Sequence, residues 1–387
     1  MGADWLLIIV LGIALILAGW QWMEGILFPL HRRIRRRSQA PGATVLVPLH
    51  GVTRFTETCL ESWLVQNYPG PLQFLFLVED RRDPACAVAE KVLQKYPSLQ
   101  AELVICEKAV GANRKVAKLA AAAPRIRHDY VIVSDADVRV PPDLLANLVP
   151  ALSESGVGLA CCLYRLAHAH GMAMQCEAVA INADFWTNVL QARRLGGLRF
   201  ALGAVMALRR DVLERIGGFE SIRDLLADDY WLGRKAFEIG ERVEICPIVV
   251  NLCHDQEGWR QVWSRQVRWA RTIRVCQPIG YFASILNNIT FWTLLWLAVT
   301  HHPYRWIIAG GCLAARLAMA MDNQRRLLQG WRHIRWFWMP WVKDLVQVVW
   351  WALAFTGRTV RWGDRRYRIG KGGRLIELPN GSKVQER

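Results

Sequence analysis

The chain has 387 residues and ten cysteines, but no two cysteines stand in a Cys-x-x-Cys spacing. Disulfide frameworks are typical of much shorter secreted chains, so we expect buried, reduced thiols in a cytosolic domain. Acidic residues are also scarce, because 33 Asp and Glu stand against 49 Lys and Arg and leave a net charge of +16. Charged residues make up 21% of the chain and hydrophobic residues 53%, which excludes a disordered or collagen-like protein.

Charge is absent from 19 consecutive residues near the amino terminus, residues 5–23. At about 1.5 Å per residue, this stretch crosses most of a hydrocarbon core of about 30 Å. Arginines follow the stretch rather than precede it, which favours a retained anchor over a cleaved signal and places the rest of the chain in the cytosol. We therefore predict a transmembrane anchor over residues 1–30 and a basic linker over 31–42. Arginines beside apolar stretches favour anionic lipid headgroups, rather than nucleic acid, as a partner.

A second apolar region covers residues 281–357. Residues 282–300 are uncharged and residues 306–321 carry only Arg316, so we predict a transmembrane helical hairpin. The last segment, residues 336–356, is rich in tryptophan but contains Pro340 and the pair Lys343 and Asp344. If it spanned the membrane, the basic tail over 358–387 would lie outside the cytosol, against the positive-inside rule. We therefore predict a re-entrant or interfacial segment and a cytosolic tail, with an ordinary spanning helix as the alternative.

Between the apolar ends, residues 43–258 alternate between strand-like and helix-like patterns. The short runs rich in β-formers are residues 44–48, 72–78, 103–106 and 130–133. The stretches with helical spacing between them are residues 58–66, 83–96 and 116–123. This order predicts an α/β fold with a mostly parallel, Rossmann-like sheet covered by helices on both faces. In such sheets ligands bind beyond the carboxyl ends of the strands.

Acidic residues follow two of these predicted strands. Asp80 lies in the sequence EDRRD at 79–83, and Asp135 and Asp137 lie in the sequence DAD at 135–137. Carboxylates at one sheet edge repel each other unless a cation lies among them, and Mg²⁺ and Mn²⁺ prefer such oxygen ligands. We therefore predict a divalent metal ion at Asp135 and Asp137, with a solvated turn as the alternative.

Two further segments indicate phosphate and proton chemistry. Gly111 and Lys115 lie directly before the helical run 116–123, where a permissive backbone, a basic side chain and a helix start favour an anion such as a diphosphate. A solvated helix start is the alternative. Asp228 and Asp229 precede another predicted helix, from about residue 231. Acidic residues there are often simple caps, but a carboxylate beside an acceptor hydroxyl can act as a general base.

Residues 259–280 combine basic and aromatic side chains at helical spacing. One side of the predicted helix carries Trp259, Trp263, Val267 and Ala270. This pattern predicts an amphipathic helix in the membrane interface, with a plain surface helix as the alternative. The spacing of Arg265, Arg268 and Trp269 can also direct two guanidinium groups and an indole at a phosphate-bearing substrate.

Five of these motifs occur in the order found in the ceramide glucosyltransferase family, whose members are membrane-bound GT-A glycosyltransferases. They are VEDRRDP at 78–84, VGANRK at 110–115, DADVR at 135–139, ADDY at 227–230 and RQVRW at 265–269. The chain resembles this family from about residue 43 to 280, and weakly in the tail motif RWGDRRYR at 361–368. The second motif is also similar to that of the hopanoid-linked glucosaminyltransferases.

The resemblance implies a role for each acidic motif. Asp80 resembles the carboxylate that binds the uridine, and Asp135 with Asp137 resembles the metal and diphosphate site. Asp229 resembles the catalytic base. Some ceramide enzymes lack the second carboxylate of the metal motif, so its presence here favours metal dependence.

The basic motifs complete the predicted site. Arg268 and Trp269 resemble the motif that closes over the donor, with Arg265 where several relatives have Gln. The other predicted substrate-binding residues are Gly111, Asn113, Lys115 and Asp228.

The resemblance implies an inverting transfer of a hexose from a UDP-sugar, first of all UDP-glucose, to a lipid hydroxyl, first of all that of ceramide, with Mg²⁺ or Mn²⁺ as cofactor. UDP-N-acetylglucosamine with a hopanoid acceptor is the alternative pair. The protein is then an integral, multi-pass membrane protein, with its catalytic domain in the cytosol, of a bacterial inner membrane. No nucleic acid and no obligate protein partner is expected.

Two other interpretations fit part of the sequence. A polymer synthase shares the Arg-x-x-Arg-Trp type of motif, but such enzymes need a channel of many helices, and this chain offers three or four. An inactive basic membrane scaffold is the alternative of another class. Three acidic motifs on one sheet edge argue against it, because an anion-binding surface gains nothing from them.

Overall fold

The computed structural model describes residues 2–33, 40–107, 109–362 and 365–378. Its main element is an eight-stranded sheet. In chain order the strands are β1 (Ala43–Pro48), β2 (Leu72–Val78), β3 (Gln100–Ile105), β4 (Tyr130–Ser134), β5 (Val138–Arg139), β6 (Val157–Leu166), β7 (Val205–Arg209) and β8 (Arg242–Leu252). Their order across the sheet is β3-β2-β1-β4-β7-β6-β8-β5.

Parallel pairs outnumber antiparallel pairs in this sheet. β1 pairs in parallel with β2 and β4, β2 with β3, and β6 with β8. β7 runs antiparallel to β4 and β6, and the short β5 runs antiparallel to β8. All six residues of β1 are buried, as expected for a strand covered on both faces. The predicted mostly parallel α/β sheet is confirmed.

Fourteen α-helices occur in the described residues. They are α1 (Gly2–Leu27), α2 (Thr56–Leu64), α3 (Ala85–Gln94), α4 (Arg114–Ala122), α5 (Leu144–Leu152), α6 (Gly171–Val179), α7 (Trp186–Arg194), α8 (Arg210–Arg215), α9 (Asp228–Glu238), α10 (Trp259–Cys276), α11 (Pro278–Ala283), α12 (Ile289–Val299), α13 (Arg305–Leu328) and α14 (Met339–Phe355). A π-helical turn, Ala180–Phe185, joins α6 to α7.

Two apolar cores cover the two faces of the sheet. Alternate residues of a strand point to opposite faces, so Val45 and Val47 of β1 join one core and Leu46 joins the other. The first core packs on α2, α3 and α5, and the second on α4, α7 and α9. Layers on both faces leave the carboxyl ends of the strands as the open edge of the domain.

The described residues contain one unbroken helix, Asp4–Leu27 of α1, that is long and apolar enough to cross a membrane. A second candidate exists only if two helical pieces form one broken span, because Pro278–Asn287 and Ile289–Val299 meet at 58°. The uncharged stretch 282–300 is therefore not one straight helix, and the transmembrane hairpin stays a prediction. The break lies at Asn288, whose side chain accepts a hydrogen bond from Phe291 N at 2.9 Å and so starts α12.

α14 covers the apolar side of α10. Trp263 of α10 meets Trp350 of α14 with ring centroids 5.9 Å apart, and Val267 packs in the same cluster. Cys176 and Val179 of α6 complete this cluster. The side of α10 that was expected to face lipid therefore contacts protein, although Trp259 is 40% exposed at its start. An interfacial position of α10 stays a prediction.

The tail forms a small antiparallel sheet of three strands, β9 (Thr359–Trp362), β10 (Arg365–Ile369) and β11 (Leu375–Leu378). It docks on the loop before α9, where Leu226 N donates to Gly373 O at 2.9 Å and Leu375 N donates to Asp224 O at 2.7 Å. The predicted basic tail 358–387 thus contains folded structure. Residues 363–364 and 379–387 of that tail, and residues 34–39 of the predicted linker, lie outside the described residues.

Candidate active site

One cavity of about 2340 Å³ lies beyond the carboxyl ends of the parallel strands and extends to the apolar helices. Nine of the eleven site residues predicted from the sequence line it. They are Asp80, Lys115, Asp135, Asp137, Asp228, Asp229, Arg265, Arg268 and Trp269. Motifs that are far apart in the chain therefore face one another across a single space.

Lys115 lies at the centre of the acidic cluster. Its Nζ is 2.7 Å from Asp135 Oδ1 and 2.8 Å from Asp228 Oδ2. Asp135 follows β4, Asp228 begins α9 and Lys115 is the second residue of α4, so three elements bring their charges together. Burial raises the pKa of Asp135 to about 6, although Lys115 opposes the shift. Lys115 thus stabilises two carboxylates that would otherwise repel each other.

His254 was not predicted from the sequence and lies beside Asp137. Its Nε2 is 3.2 Å from Asp137 Oδ2, and its side chain is 10% exposed. The pairing of Val138 with Leu252 across β5 and β8 brings the two residues together. Burial raises the pKa of Asp137, but the hydrogen bond and the charge of His254, with smaller contributions from the backbone and Arg265, together outweigh burial, so the net direction of the pKa shift is downward.

The donor atoms at this edge fit a divalent cation. Asp135 and Asp137 offer carboxylate oxygens and His254 an imidazole nitrogen, a set that suits Mn²⁺ or Mg²⁺. Glu177 and Glu257 also lie close to His254. Both of these carboxylates accept hydrogen bonds from one guanidinium group, that of Arg265, whose single positive charge offsets only one of the two negative charges. The candidate metal ligands are the predicted Asp135 and Asp137 with His254 beside them, while Glu177, His254 and Glu257 form a second set whose ligand atoms lie within 4.8 Å of one another.

Asp229 is oriented by the backbone. Its Oδ2 accepts a hydrogen bond from Gly203 N at 3.1 Å, and its Oδ1 accepts one from Tyr230 N at 2.8 Å. A Cβ atom on Gly203 would lie only 3.1 Å from Oδ2, so this approach depends on glycine. Burial and the neighbouring Asp228 raise the pKa of Asp229 to about 7. A carboxylate with such a pKa is suited to accept a proton near neutral pH.

The RQVRW motif lies on α10, and Arg265 differs in its contacts from Arg268 and Trp269. Arg265 Nη2 is 2.5 Å from Glu177 Oε2 and 2.5 Å from Glu257 Oε2. The Glu177 side chain is fully buried, so Arg265 neutralises a buried charge and fastens α10 to α6. These contacts do not fit the expectation that Arg265 is directed at a phosphate-bearing donor. Burial and Arg265 lower the pKa of Arg268 to about 10, which leaves Arg268 charged at neutral pH.

Gly111 and Asn113 are not among the residues that line the cavity, and their contact with substrate stays a prediction. Gly111 has φ +149°, and a Cβ atom there would lie 2.9 Å from Arg223 O. The buried Asn113 side chain accepts a hydrogen bond from Val116 N at 3.2 Å and donates one to Leu225 O at 2.8 Å. Both residues therefore fix the start of α4 against the loop before Asp228.

Asp80 lies at the outer end of the cavity, with its side chain 45% exposed. Its Oδ2 is 2.6 Å from Arg82 Nη2, and this hydrogen-bonded pair lowers the pKa of Asp80 to about 2. The carboxylate is therefore ionised and reachable from the cavity. Its contact with a uridine stays a prediction.

The opposite end of the cavity is lined by a buried charge cluster that no motif indicated. Arg316 Nη2 lies 2.8 Å from Asp344 Oδ1 and 3.0 Å from Asp184 Oδ2. Lys343 pairs with the same two carboxylates. Two basic and two acidic side chains thus neutralise one another between α13, α14 and the π-helical turn, and among them are Lys343 and Asp344, which counted against a spanning helix in the sequence.

The tail sheet also reaches the cavity, through Arg365, Tyr367 and Glu377. Arg365 Nη1 is 2.9 Å from Glu377 Oε1, which fixes β10 to β11 at the rim. The weak tail motif at 361–368 was the signal in the sequence for this contribution.

Comparison with known proteins agrees with this arrangement of residues. The family described as glycosyl transferase family 21 matches residues 6–375. The chain belongs to this family. Members of glycosyl transferase family 21 are glycosyltransferases, and the carboxylate-lined cavity of this chain lies within the matched residues.

Individual relatives match over different lengths. Ceramide glucosyltransferase 1 of Caenorhabditis elegans is 20% identical over 377 residues, 93% of this chain and 78% of the worm protein. Ceramide glucosyltransferase of Candida albicans is 32% identical over 123 residues, but this match covers 29% of the chain and only 23% of the yeast protein. Beta-monoglucosyldiacylglycerol synthase of Synechocystis is 26% identical over 224 residues, 53% of this chain and 42% of that protein.

Among solved structures, a mannosyltransferase of Pyrobaculum calidifontis is similar to this chain with a TM-score of 0.56 and 20% sequence identity. The similarity covers 90% of this chain and 98% of the archaeal one, and it confirms the GT-A fold expected from the sequence. That enzyme was solved in complex with GDP-mannose and Mn²⁺.

Proposed function

We propose that this member of glycosyl transferase family 21 is an inverting, membrane-bound hexosyltransferase that moves glucose from UDP-glucose to the primary hydroxyl of ceramide. One observation carries the proposal: a single cavity joins the acidic residues at the sheet edge to a polar cluster between apolar helices. A soluble donor can reach the first end, and a lipid headgroup can reach the second. The ceramide glucosyltransferase relatives support the choice of donor and acceptor.

Asp229 is the proposed base. It takes the proton of the lipid hydroxyl while the hydroxyl oxygen bonds to the anomeric carbon and the bond from that carbon to the UDP oxygen breaks. The two backbone N–H groups that bind Asp229 orient its carboxylate before the reaction. A single displacement of this kind inverts the anomeric centre and needs no covalent sugar–enzyme intermediate.

Basic side chains in the cavity wall are proposed to stabilise the negative charge of the departing UDP. Lys115 and Arg268 supply positive charge in the cavity wall, and both stay protonated at neutral pH. Asp135, Asp137 and His254 would hold a Mg²⁺ or Mn²⁺ ion, which supplies Lewis-acid stabilisation of the diphosphate. We propose that Asp80, which lines the cavity, binds the uridine.

The acceptor end is supported by the cluster of Arg316, Lys343 and Asp344. These groups line the cavity next to Trp350 and Trp351 of α14 and Gln21 of α1, so a lipid entering from the side meets both apolar and polar groups.

We propose that the protein is multi-pass, with its sheet domain in the cytosol, in a bacterial inner membrane. The Synechocystis relative favours diacylglycerol as a second candidate acceptor.

The test uses the purified full chain in nanodiscs with Mn²⁺. UDP-glucose, UDP-galactose and UDP-N-acetylglucosamine are each offered with ceramide, diacylglycerol and a hopanoid, and lipid products are resolved by mass spectrometry. We expect glucosylceramide, and we expect EDTA to abolish its formation and added Mn²⁺ to restore it. A different glycolipid product would replace UDP-glucose or ceramide in the proposal and keep the proposed reaction. Absence of both transfer and UDP binding would contradict the enzymatic function and favour the scaffold interpretation.

The variant Asp229→Asn tests the base. It keeps the shape of the side chain but loses most of its ability to accept a proton, so turnover should fall by about 10²–10⁴-fold. UDP binding, measured by calorimetry, should survive. Asp211→Asn, at an exposed position with its side chain 59% exposed, is the matched control and should keep normal activity. An active Asp229→Asn protein would remove Asp229 as the base.

A further inference from the structure

Lys118 of α4 is a buried basic residue that the proposed reaction does not use. Only 4% of the residue is exposed, yet it lines the large cavity together with Asp80 and Asp83. It lies one helical turn after Lys115, so both lysines reach the cavity from the same side of α4. Lysine is almost never this buried unless its charge has a partner. A residue in such a position therefore requires a partner for its ammonium group.

The protein gives the ammonium group of Lys118 one hydrogen-bond partner. Its Nζ donates to Leu49 O, and it forms no ion pair with a carboxylate of the described residues. The charge of Asp83 favours the protonated form, but Oδ1 of Asp83 already accepts hydrogen bonds from Gly51 N and Ala85 N, at 3.0 and 2.9 Å. Burial is the main cause of the lowered pKa of Lys118, about 8. Two of the three N–H donors of Nζ thus have no partner in the described part of the chain.

The end of β1 brings Lys118 to the same part of the cavity as Asp80. Leu49, which binds Nζ, directly follows β1, and its N donates to Leu77 O of β2 at 2.7 Å. Asp80 comes two residues after the end of β2. Because neighbouring strands lie about 4.8 Å apart, the ammonium group and the carboxylate lie beside the ends of two adjacent strands. A flat ligand between them would meet a hydrogen-bond donor on one side and an acceptor on the other.

Uracil matches this pair of groups along one edge. Its N3–H donates a hydrogen bond, which a carboxylate can accept, and its neighbouring O4 accepts one, which an ammonium group can donate. Cytosine reverses both positions, because its N3 accepts and its N4 amino group donates. The two side chains would then face groups of their own kind. A site built to hydrogen-bond one pattern rejects the ligand that leaves its buried polar groups unpaired.

We propose that Lys118 donates a hydrogen bond to O4 of the uracil ring and thereby selects UDP-sugars over CDP-sugars, while Asp80 accepts the hydrogen bond of N3–H. This inference rests on the proposed function, because it concerns the donor of that reaction. O4 is the uracil oxygen farthest from the ribose, which suits a donor group buried in the wall. Lys115, one turn earlier on α4, lies beside Asp135 and remains at the diphosphate.

The test measures binding of UDP, CDP and inorganic diphosphate to the purified full chain with Mg²⁺, by calorimetry. The test variant is Lys118→Met, which keeps the length of the side chain but removes its charge and its N–H donors. The matched control is Lys91→Met on α3, at a side chain that is 63% exposed. We expect Lys118→Met to bind UDP about tenfold more weakly and to bind CDP and diphosphate as the wild type does. The control should change none of the three affinities.

The ratio of the UDP and CDP affinities separates a base contact from a structural role. If Lys118 only joins α4 to the end of β1, Lys118→Met should weaken the binding of all three ligands together, and that result would overturn the proposal. Equal losses for UDP and CDP with diphosphate unchanged would overturn it as well, because the contact would then be to a part that both nucleotides share. If Lys118→Met does not fold, Lys118→Gln, which can still donate to Leu49 O, provides the same comparison.

GDP is a further arm, because N1–H and O6 of guanine repeat the pattern of uracil on a larger base. Tighter binding of GDP than of UDP by the wild type would overturn the assignment to uracil. Sugar transfer from UDP-glucose separates this inference from the proposed function. Selective UDP binding that depends on Lys118, without any transfer, would support the base contact and contradict only the proposed function. Transfer at low UDP-glucose concentration that Lys118→Met leaves unchanged would do the opposite.

Discussion

At the scale of single residues, the orientation and the pKa of the Asp229 carboxylate depend on a small set of neighbouring groups. Its carboxylate has two backbone donors and lies beside the carboxylate of Asp228, whose own partner is Lys115. Burial and the like charge of Asp228 favour the protonated form of Asp229. The same surroundings that orient the proposed base therefore also set the pKa of its carboxyl group.

The predicted pH profile follows from this pKa of about 7. Below it Asp229 carries a proton and cannot accept another, so kcat/KM should fall about tenfold per pH unit and level off above it. The rate of glucosyl transfer measured from about pH 5 to 9 checks this expectation. Asp228→Asn removes the neighbouring negative charge and should move the acid limb to lower pH. A limb that stays in place would mean that another group controls it.

The sequence predicted most of these residues, and its failures have physical reasons. Carboxylates after parallel strands meet at one sheet edge, so Asp135 and Asp137 could be placed there without a structure. His254 could not, because it reaches Asp137 through the register of β5 with β8. The packing of Gly111 and Asn113 against the loop before Asp228 could not be predicted either, because a local motif does not reveal which side of its loop faces the cavity.

At the scale of secondary structure, α9 matters because it carries both Asp228 and Asp229 at its first turn. Gly233 allows α9 to lie against the loop before β7. A Cβ atom there would come within 2.4 Å of Ala201 N and 2.4 Å of Phe200 C. The same loop supplies Gly203 N as a hydrogen-bond donor to the carboxylate of Asp229, so the packing of α9 and the orientation of the proposed base depend on one contact surface.

Gly233→Ala should displace α9 from this loop. A shift of about 1 Å in the position of Asp229 costs about 10²-fold in rate, so kcat should fall by that order while the melting temperature also drops. Gly311→Ala is the matched control, because it lies within α13 with no atom within 4 Å of the added Cβ. The control should keep full activity and stability. Equal activity of the two variants would contradict the role of this packing.

The packing of α10 also shows which property of a helix its sequence pattern does not determine. The spacing of apolar residues on α10 correctly predicted an amphipathic helix, because period and polarity are local properties. The pattern did not predict what covers Trp263 and Val267, since lipid and a neighbouring helix are equally apolar. Here α14 covers them, and α14 comes about eighty residues later in the chain.

At the scale of the whole molecule, the sheet domain and the apolar helices form one packed unit. Gln21 of α1 donates hydrogen bonds to Asn188 and Gln191 of α7, at 2.7 and 2.8 Å. Arg316 of α13 pairs with Asp184 of the sheet domain and with Asp344 of α14. The helices are therefore walls of the catalytic cavity rather than a tether.

Arg316→Gln should weaken the contact between the sheet domain and helices α13 and α14. It leaves the buried carboxylates of Asp184 and Asp344 with Lys343 as their remaining basic partner in the cluster, and removing one partner of a buried pair costs about 3 kcal/mol. We expect the melting temperature of the full chain in detergent to fall by about 5 °C or more and glucosyl transfer to fall with it. Arg335→Gln, on an exposed side chain, should change neither. An unchanged melting temperature of Arg316→Gln would show that the parts are held together by other contacts.

The position of the tail sheet has a consequence for the biosynthesis of the protein. Glu377 stands in β11, the last described strand, and it lines the same cavity as Gln21 near the amino terminus. The ribosome adds Gln21 long before Glu377, because the two residues lie in α1 and β11. The cavity therefore stays open on one side until β11 has been made, and a shorter nascent chain lacks one of its walls. We expect a premature stop codon just before β11 to leave the cavity open in the same way and to yield an inactive protein.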